Sequence, residues 1–139
     1  MSVIAMSSLL RRALIADALI SAAAGLVMTA GAGLLQGLLQ LPYSLLMGAG
    51  LALFPWAACL LWLARKPMLP SAAVWAVIVL NLVWIADSAW VALGGSFAPN
   101  ALGLAFIGLQ AAVVAVLAEL EFIGLRRGTA PHALSGCRT

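Results

Sequence analysis

The chain has 139 residues, 65% of them hydrophobic and 8% charged, with a net charge of +3; its mean hydropathy is +1.17. A water-soluble domain is about 45–50% apolar and about 25% charged, so this chain lacks the polar surface to face water and reads as an integral membrane protein. Seven Lys and Arg residues, mostly in pairs, act as topology determinants; they are too sparse for a nucleic-acid partner, which asks for a denser basic run.

Crossing a bilayer as a helix takes about 20 predominantly apolar residues, and four stretches qualify. Span one, 13–35, follows Arg11 and Arg12 and holds Asp17 near its start. Ser21, Gly25, Thr29, Gly33 and Gly37 follow Asp17 at four-residue steps. That spacing keeps small side chains on one slowly drifting face, of the kind that lets helices approach closely in lipid. The break "QGLLQLPY" leads to span two, 44–64, which holds Trp56, Cys59 and Trp62 and is expected to kink at Pro55.

"RKPMLP" separates spans two and three. Span three, 72–93, carries Trp75 and "NLVWIADSAW" (81–90). After "GGSFAPN", span four, 101–125, presents Gly108, Ala111, Ala112 and Ala115, and then Glu119 and Glu121. Its small-residue face is expected to pack against that of span one, within one chain or between copies. Trp62, Trp75 and Trp90 fall where interfacial anchoring places tryptophan; Trp56 and Trp84 lie deeper.

The expected fold is therefore an all-α, four-helix transmembrane bundle over 1–125 with a short basic tail at 126–139. Arg11, Arg12, Arg65, Lys66, Arg126, Arg127 and Arg138 all flank one side of this arrangement. The 1–2 and 3–4 connections contain no Lys or Arg, so both termini and the 2–3 loop are expected in the cytoplasm. A cleaved signal peptide ending at "AGA" (30–32) is the alternative, but the apolar run continues past it and Asp17 interrupts it. "GLALFPWAACLLWLARK" (50–66) and "GLAFIGLQAAVVAVLAEL" (103–120) resemble each other, which is the pattern of a repeated hairpin or of shared alanine–leucine composition.

Four acids punctuate the apolar sequence. Glu119 and Glu121 are expected in an interfacial charge network with Arg126 and Arg127. Asp17 stands roughly 6 Å into span one at 1.5 Å per residue, within reach of Arg11 and Arg12, and reads as a structural acid or as a proton- or cation-binding one. In topology and size the chain resembles the small four-helix multidrug transporters, which carry an acid in their first helix; no further motif matches and no residue role carries over. Asp87 is farthest from any cation, and an intramembrane acid is a functional candidate by default. Its expected neighbours on span three are Asn81, Trp84 and Ser88, with Gln36 and Gln40 as further hydrogen-bond partners.

No Ser/His/Asp or Cys/His set, zinc motif or glycine-rich phosphate loop is present in the spans, and the one histidine, His132, sits in the tail. These absences argue against an enzyme and against a bound cofactor or metal. Cys59 and Cys137 are expected as free thiols. Two functions remain. One is an accessory or interaction subunit of a membrane complex, with Asp87 facing a partner. The other is a transporter or channel for a cation, a proton-coupled solute or a small hydrophobic molecule, expected to be homo-oligomeric because one bundle this small encloses little cavity. The expected location is a bacterial inner membrane, with the lipid bilayer and a second copy or another membrane protein as partners.

Overall fold

The computed structural model describes residues 2–129. Four of its helices are long and apolar enough to cross a membrane: α1 (Ser8–Ala30), α3 (Tyr43–Ala64), α4 (Ser71–Leu93) and α5 (Ala101–Thr129). A short α2 (Ala32–Leu39) follows α1, and two three-residue strands, β1 (Val3–Ala5) and β2 (Met68–Pro70), complete the set.

The first span differs from expectation at both ends. Ser7 caps α1, its Oγ accepting from the Leu10 amide at 3.1 Å. This satisfies one of the donors that every helix start leaves free, so the helix begins before Arg11 and Arg12. At the other end the chain turns at Gly31, whose N–H reaches Val27 O at 2.9 Å, and α2 sets off separately. Gln40 ends α2 in a left-handed conformation (φ 54°), uncommon for a residue with a Cβ. Asn100 secures this corner. Its Nδ2 donates to Leu38 O at 2.7 Å and its Oδ1 accepts from the Gly103 N–H at 2.9 Å, so one side chain caps α5 and ties it to the end of α2.

The opposite end of the bundle holds the two-stranded sheet. β1 pairs antiparallel with β2, with Ile4 opposite Leu69 and both buried. The Met6 amide donates to Pro67 O at 3.0 Å and the Ser71 amide to Ser2 O at 2.9 Å, extending the pairing on either side. Gly128 of α5 packs on Ala5 O. Thus β1, the 2–3 connection and the end of α5 share one end of the bundle, and Arg11, Arg12, Arg65, Lys66, Arg126 and Arg127 all belong to it. α5 extends to Thr129, so Arg126 and Arg127 are helical; His132, Cys137 and Arg138 lie outside the described residues.

Packing follows the glycines. α1 and α3 meet where a Cβ on Gly25 would stand 2.9 Å from Gly50 O, and one on Gly50 2.8 Å from Thr29 Cγ2. The Thr29 hydroxyl is turned inward to its own helix, donating to Gly25 O at 2.7 Å. α5 approaches α1 at Gly124, where a Cβ would lie 2.9 Å from Leu10 Cα. α4 rests chiefly on α5. The expected pairing of spans one and four through their small-residue stripes does not occur within the chain. Gly33, Gly108 and Ala112 are exposed, with no atom within 4 Å of a Cβ at either glycine; Ser21 and Gly25 are buried. The reason is the bend at Gly31, which removes Gly33 from the face that Gly25 shares, and the preference of that face for Gly50.

Two apolar clusters fill the ends. One gathers Ile4, Leu10, Leu14, Leu60, Val74 and Leu125 beside the sheet. The other gathers Met28, Leu39, Leu46, Leu53 and Ile107 below the α2 corner. Leu19, Leu34, Leu109 and Val116 are exposed, an outward apolar belt that suits lipid and would be unfavourable in water.

Candidate functional site

Between the two clusters sits a buried polar set drawn from three helices. Asp17 and Ser21 lie one turn apart on the small-residue face of α1, Asn81 comes from α4, and Glu121 from α5. Their relative exposures are 1%, 7%, 3% and 0%. The Asn81 amide has two N–H donors and uses both. Its Nδ2 donates to Asp17 Oδ2 and to Glu121 Oε2, each at 3.0 Å. Ser21 Oγ donates to Asp17 Oδ1 at 3.1 Å. Among the described residues, Glu121 Oε1, fully buried, has no hydrogen-bond partner.

Among the described residues, no Lys or Arg is paired with these two carboxylates. Their side-chain hydrogen-bond partners among the described residues are Ser21 and Asn81. Arg11, Arg12 and Arg127 are exposed. Arg126, nearest to Glu121 in sequence, lies over the Phe122 ring at 5.3 Å, and Lys66 lies over Trp62 at 4.6 Å. Moving charge into a membrane interior costs roughly 2.5–3.5 kcal/mol for one aspartate on insertion scales. The two carboxyls are instead held together by the one amide of Asn81.

This corrects two expectations. Glu121 does not join an interfacial network with Arg126 and Arg127. Residues two apart on a helix point about 200° apart at 3.6 residues per turn, so Glu119 takes the outer face, where it is exposed, and Glu121 the core. Asp17 lies deeper than its place in a span starting at residue 13 suggests. It stands nine residues into the observed α1, about 14 Å of rise, and bonds to Ser21 on its own helix and Asn81 across the bundle.

Among the described residues, Asn81, Trp84, Asp87 and Ser88 make no side-chain-to-side-chain hydrogen bonds with one another. Asn81 turns inward to the carboxylates. The Ser88 hydroxyl donates back to Trp84 O at 2.7 Å. Asp87 is exposed and makes no side-chain hydrogen bond among the described residues. Trp84 and Asp87 do share a cavity of about 490 Å³ among α1, α3, α4 and α5, whose lining includes Asp17, Ser21, Trp56 and Asn81. The volume falls in the roughly 300–1,000 Å³ typical of small-ligand sites, and it lies within one chain; a second copy is not needed to create it. A second cavity of about 430 Å³ shares Trp84 and Asp87, so these two residues stand where the cavities adjoin. Cys59 is a free, exposed thiol.

No known protein family, characterised protein or solved structure matches the chain.

Proposed function

We propose that the chain is a small proton-coupled carrier of a bacterial inner membrane, with its sheet-bearing end in the cytoplasm. The orientation rests on the Lys and Arg residues gathered at that end. The coupling group is the Asp17–Glu121 pair held on Asn81, and the observation that carries the reading is Glu121 Oε1, buried and unpartnered beside a second carboxylate. A proton between the two carboxyls supplies the missing donor and removes one of two buried charges. Asp17 also borders the 490 Å³ cavity, so a molecule entering it meets the proton site directly.

Infrared difference spectra of the reconstituted protein, taken across a pH titration, test this reading. A carboxyl C=O band should appear and should be lost in both Glu121→Gln and Asp17→Asn. A spectrum with no such band at any pH, or a band unchanged in both variants, overturns the proposal.

An accessory-subunit reading is favoured by one observation, Asp87, exposed and without a side-chain hydrogen bond among the described residues. In that reading a cation from a neighbouring membrane protein meets Asp87. Co-purification of a stoichiometric second protein that Asp87→Asn releases, with no solute flux in proteoliposomes, would select it over the carrier.

A further inference from the structure

Three pairs of cationic residues at the sheet-bearing end are gathered around one short segment, residues 5–10. The Met6 amide donates to Pro67 O at 3.0 Å, which sets Arg65 and Lys66 beside that segment. Ser7 Oγ donates to Gly124 O at 3.3 Å, and Gly128 packs on Ala5 O; Arg126 and Arg127 lie between those two contacts. Arg11 and Arg12 follow Leu10, against which Gly124 packs. Five of the six are exposed and Lys66 is half-buried. Among the described residues none of them is ion-paired. Lys66 and Arg126 lie instead over the rings of Trp62 and Phe122. Glu119, the exposed acid of α5, sits about two turns away from Arg126.

Like charges gathered in this way repel one another, and a multivalent anion removes that cost while every cation adds attraction. Exposed apolar side chains stand among the cations. Val3, Trp62, Met68 and Trp75 are 46–57% exposed. A soluble anion would answer the charge and leave these side chains bare. A lipid answers both, its phosphates on the cations and its glycerol and upper acyl chains on indoles placed as interfacial tryptophans are. One arginine pair suffices for a single phosphate, which arginine binds through paired N–H donors. Three pairs around one segment suit a headgroup with two phosphates, the kind of lipid that basic pockets at the cytoplasmic ends of helices take.

We propose that this end of the bundle binds a phospholipid carrying two phosphates in one headgroup. Arg11 and Arg12 of α1 and Arg126 and Arg127 of α5 hold the phosphates, and Arg65 and Lys66 close the ring from the 2–3 connection. The site lies at the membrane surface, away from both cavities, and does not depend on the carrier reading. A lipid seated there joins α1, α5 and the 2–3 connection, so it stabilises the folded chain by mass action.

Native mass spectrometry of the full chain, delipidated in detergent and titrated with cardiolipin, tests this. Phosphatidylglycerol at twice the concentration supplies the same phosphate on separate headgroups. Phosphatidylcholine is the lipid without net charge, and inorganic pyrophosphate the soluble competitor. The expected result is one cardiolipin retained per chain where the other two lipids are lost, and no displacement by equimolar pyrophosphate. Arg11→Gln with Arg12→Gln, and Arg126→Gln with Arg127→Gln, should each weaken retention about 30-fold. A Lys or Arg beside the membrane contributes about 1 kcal/mol, which is roughly fivefold, and each variant removes two. All four side chains are exposed, so unfolding in sodium dodecyl sulfate without added lipid should be unchanged. Glu119→Gln leaves every cation in place and should not weaken retention.

Cardiolipin held no better than phosphatidylcholine overturns the proposal. Phosphatidylglycerol held equally well at matched phosphate also overturns it, because the two phosphates then need not share a headgroup. Displacement by equimolar pyrophosphate overturns it in favour of a soluble anion. Cardiolipin retention that neither arginine pair alters overturns it as well, because the lipid then sits elsewhere.

Discussion

Replacing Asn81 with leucine keeps the branched side-chain shape at the centre of the bundle, though with more bulk, and deletes both hydrogen bonds that hold the carboxylates, those to Asp17 Oδ2 and Glu121 Oε2. Side-chain hydrogen bonds in a membrane protein average about 0.6 kcal/mol, with a maximum near 1.7. In water-soluble proteins, bonds to charged groups reach about 1.5–3 kcal/mol. The membrane scale is the relevant one, because the unfolded helices also find polar partners in lipid. Two bonds then give a loss of about 1–3 kcal/mol, toward the upper end because all three residues are at most 3% exposed. The assay is reversible unfolding by sodium dodecyl sulfate in mixed micelles, followed by tryptophan fluorescence. The loss should shrink when Asn81→Leu is combined with Asp17→Asn and Glu121→Gln, since the two amides can bond each other and no buried charge remains. A neutral or stabilising Asn81→Leu in the otherwise unchanged chain would refute the idea that Asn81 holds the carboxylates together.

Further outcomes follow from the packing and the topology. Gly25→Ala drives a Cβ to 2.9 Å from Gly50 O, a backbone atom that cannot rotate away, and should cost about 1–3 kcal/mol in the same unfolding assay. Gly108→Ala meets nothing within 4 Å and should change stability by less than about 0.5 kcal/mol; equal losses at the two positions would refute the α1–α3 contact. With Cys59 and Cys137 replaced by serine, a membrane-impermeant maleimide should label Ser96→Cys in spheroplasts and Met68→Cys only after lysis. The reverse pattern would overturn the orientation.

The four spans were legible because bilayer thickness imposes a long apolar run that composition alone reveals. The end shared by the cationic residues was legible for the same kind of reason, since pairs of arginines interrupt those runs. The polar set was only half visible. Asp17 and Asn81 stood out as polar residues in spans, but Glu121 looked tied to Arg126 and Arg127, five and six residues away. One signal was available. In an up-and-down bundle, depth is counted from the same end on every helix. Asp17 is nine residues into α1, Asn81 ten into α4, and Glu121 eight from the end of α5, so the three share a level. Seeing this required the true helix ends, and those depend on the Ser7 cap and the continuation of α5 to Thr129, both set by local hydrogen bonding that hydropathy does not register. The bend at Gly31 was likewise invisible, because the residues on either side are equally apolar.

The strand pairing of Val3–Ala5 with Met68–Pro70 imposes an order on biosynthesis. The first strand leaves the ribosome early and has no partner until residues 67–71 emerge, after α1 and α3 have been made. By then the residues of the α1–α3 contact, Gly25 and Gly50, are already present. α4 starts at the residue following the second strand, so closing that ladder fixes the entry point of the third crossing. The last helix arrives when Gly128 can seat on Ala5, and only then does Glu121 reach Asp17 and Asn81. The paired acids therefore meet only once α5 has been made, and a chain stalled before it leaves Asp17 with Ser21 and Asn81 alone.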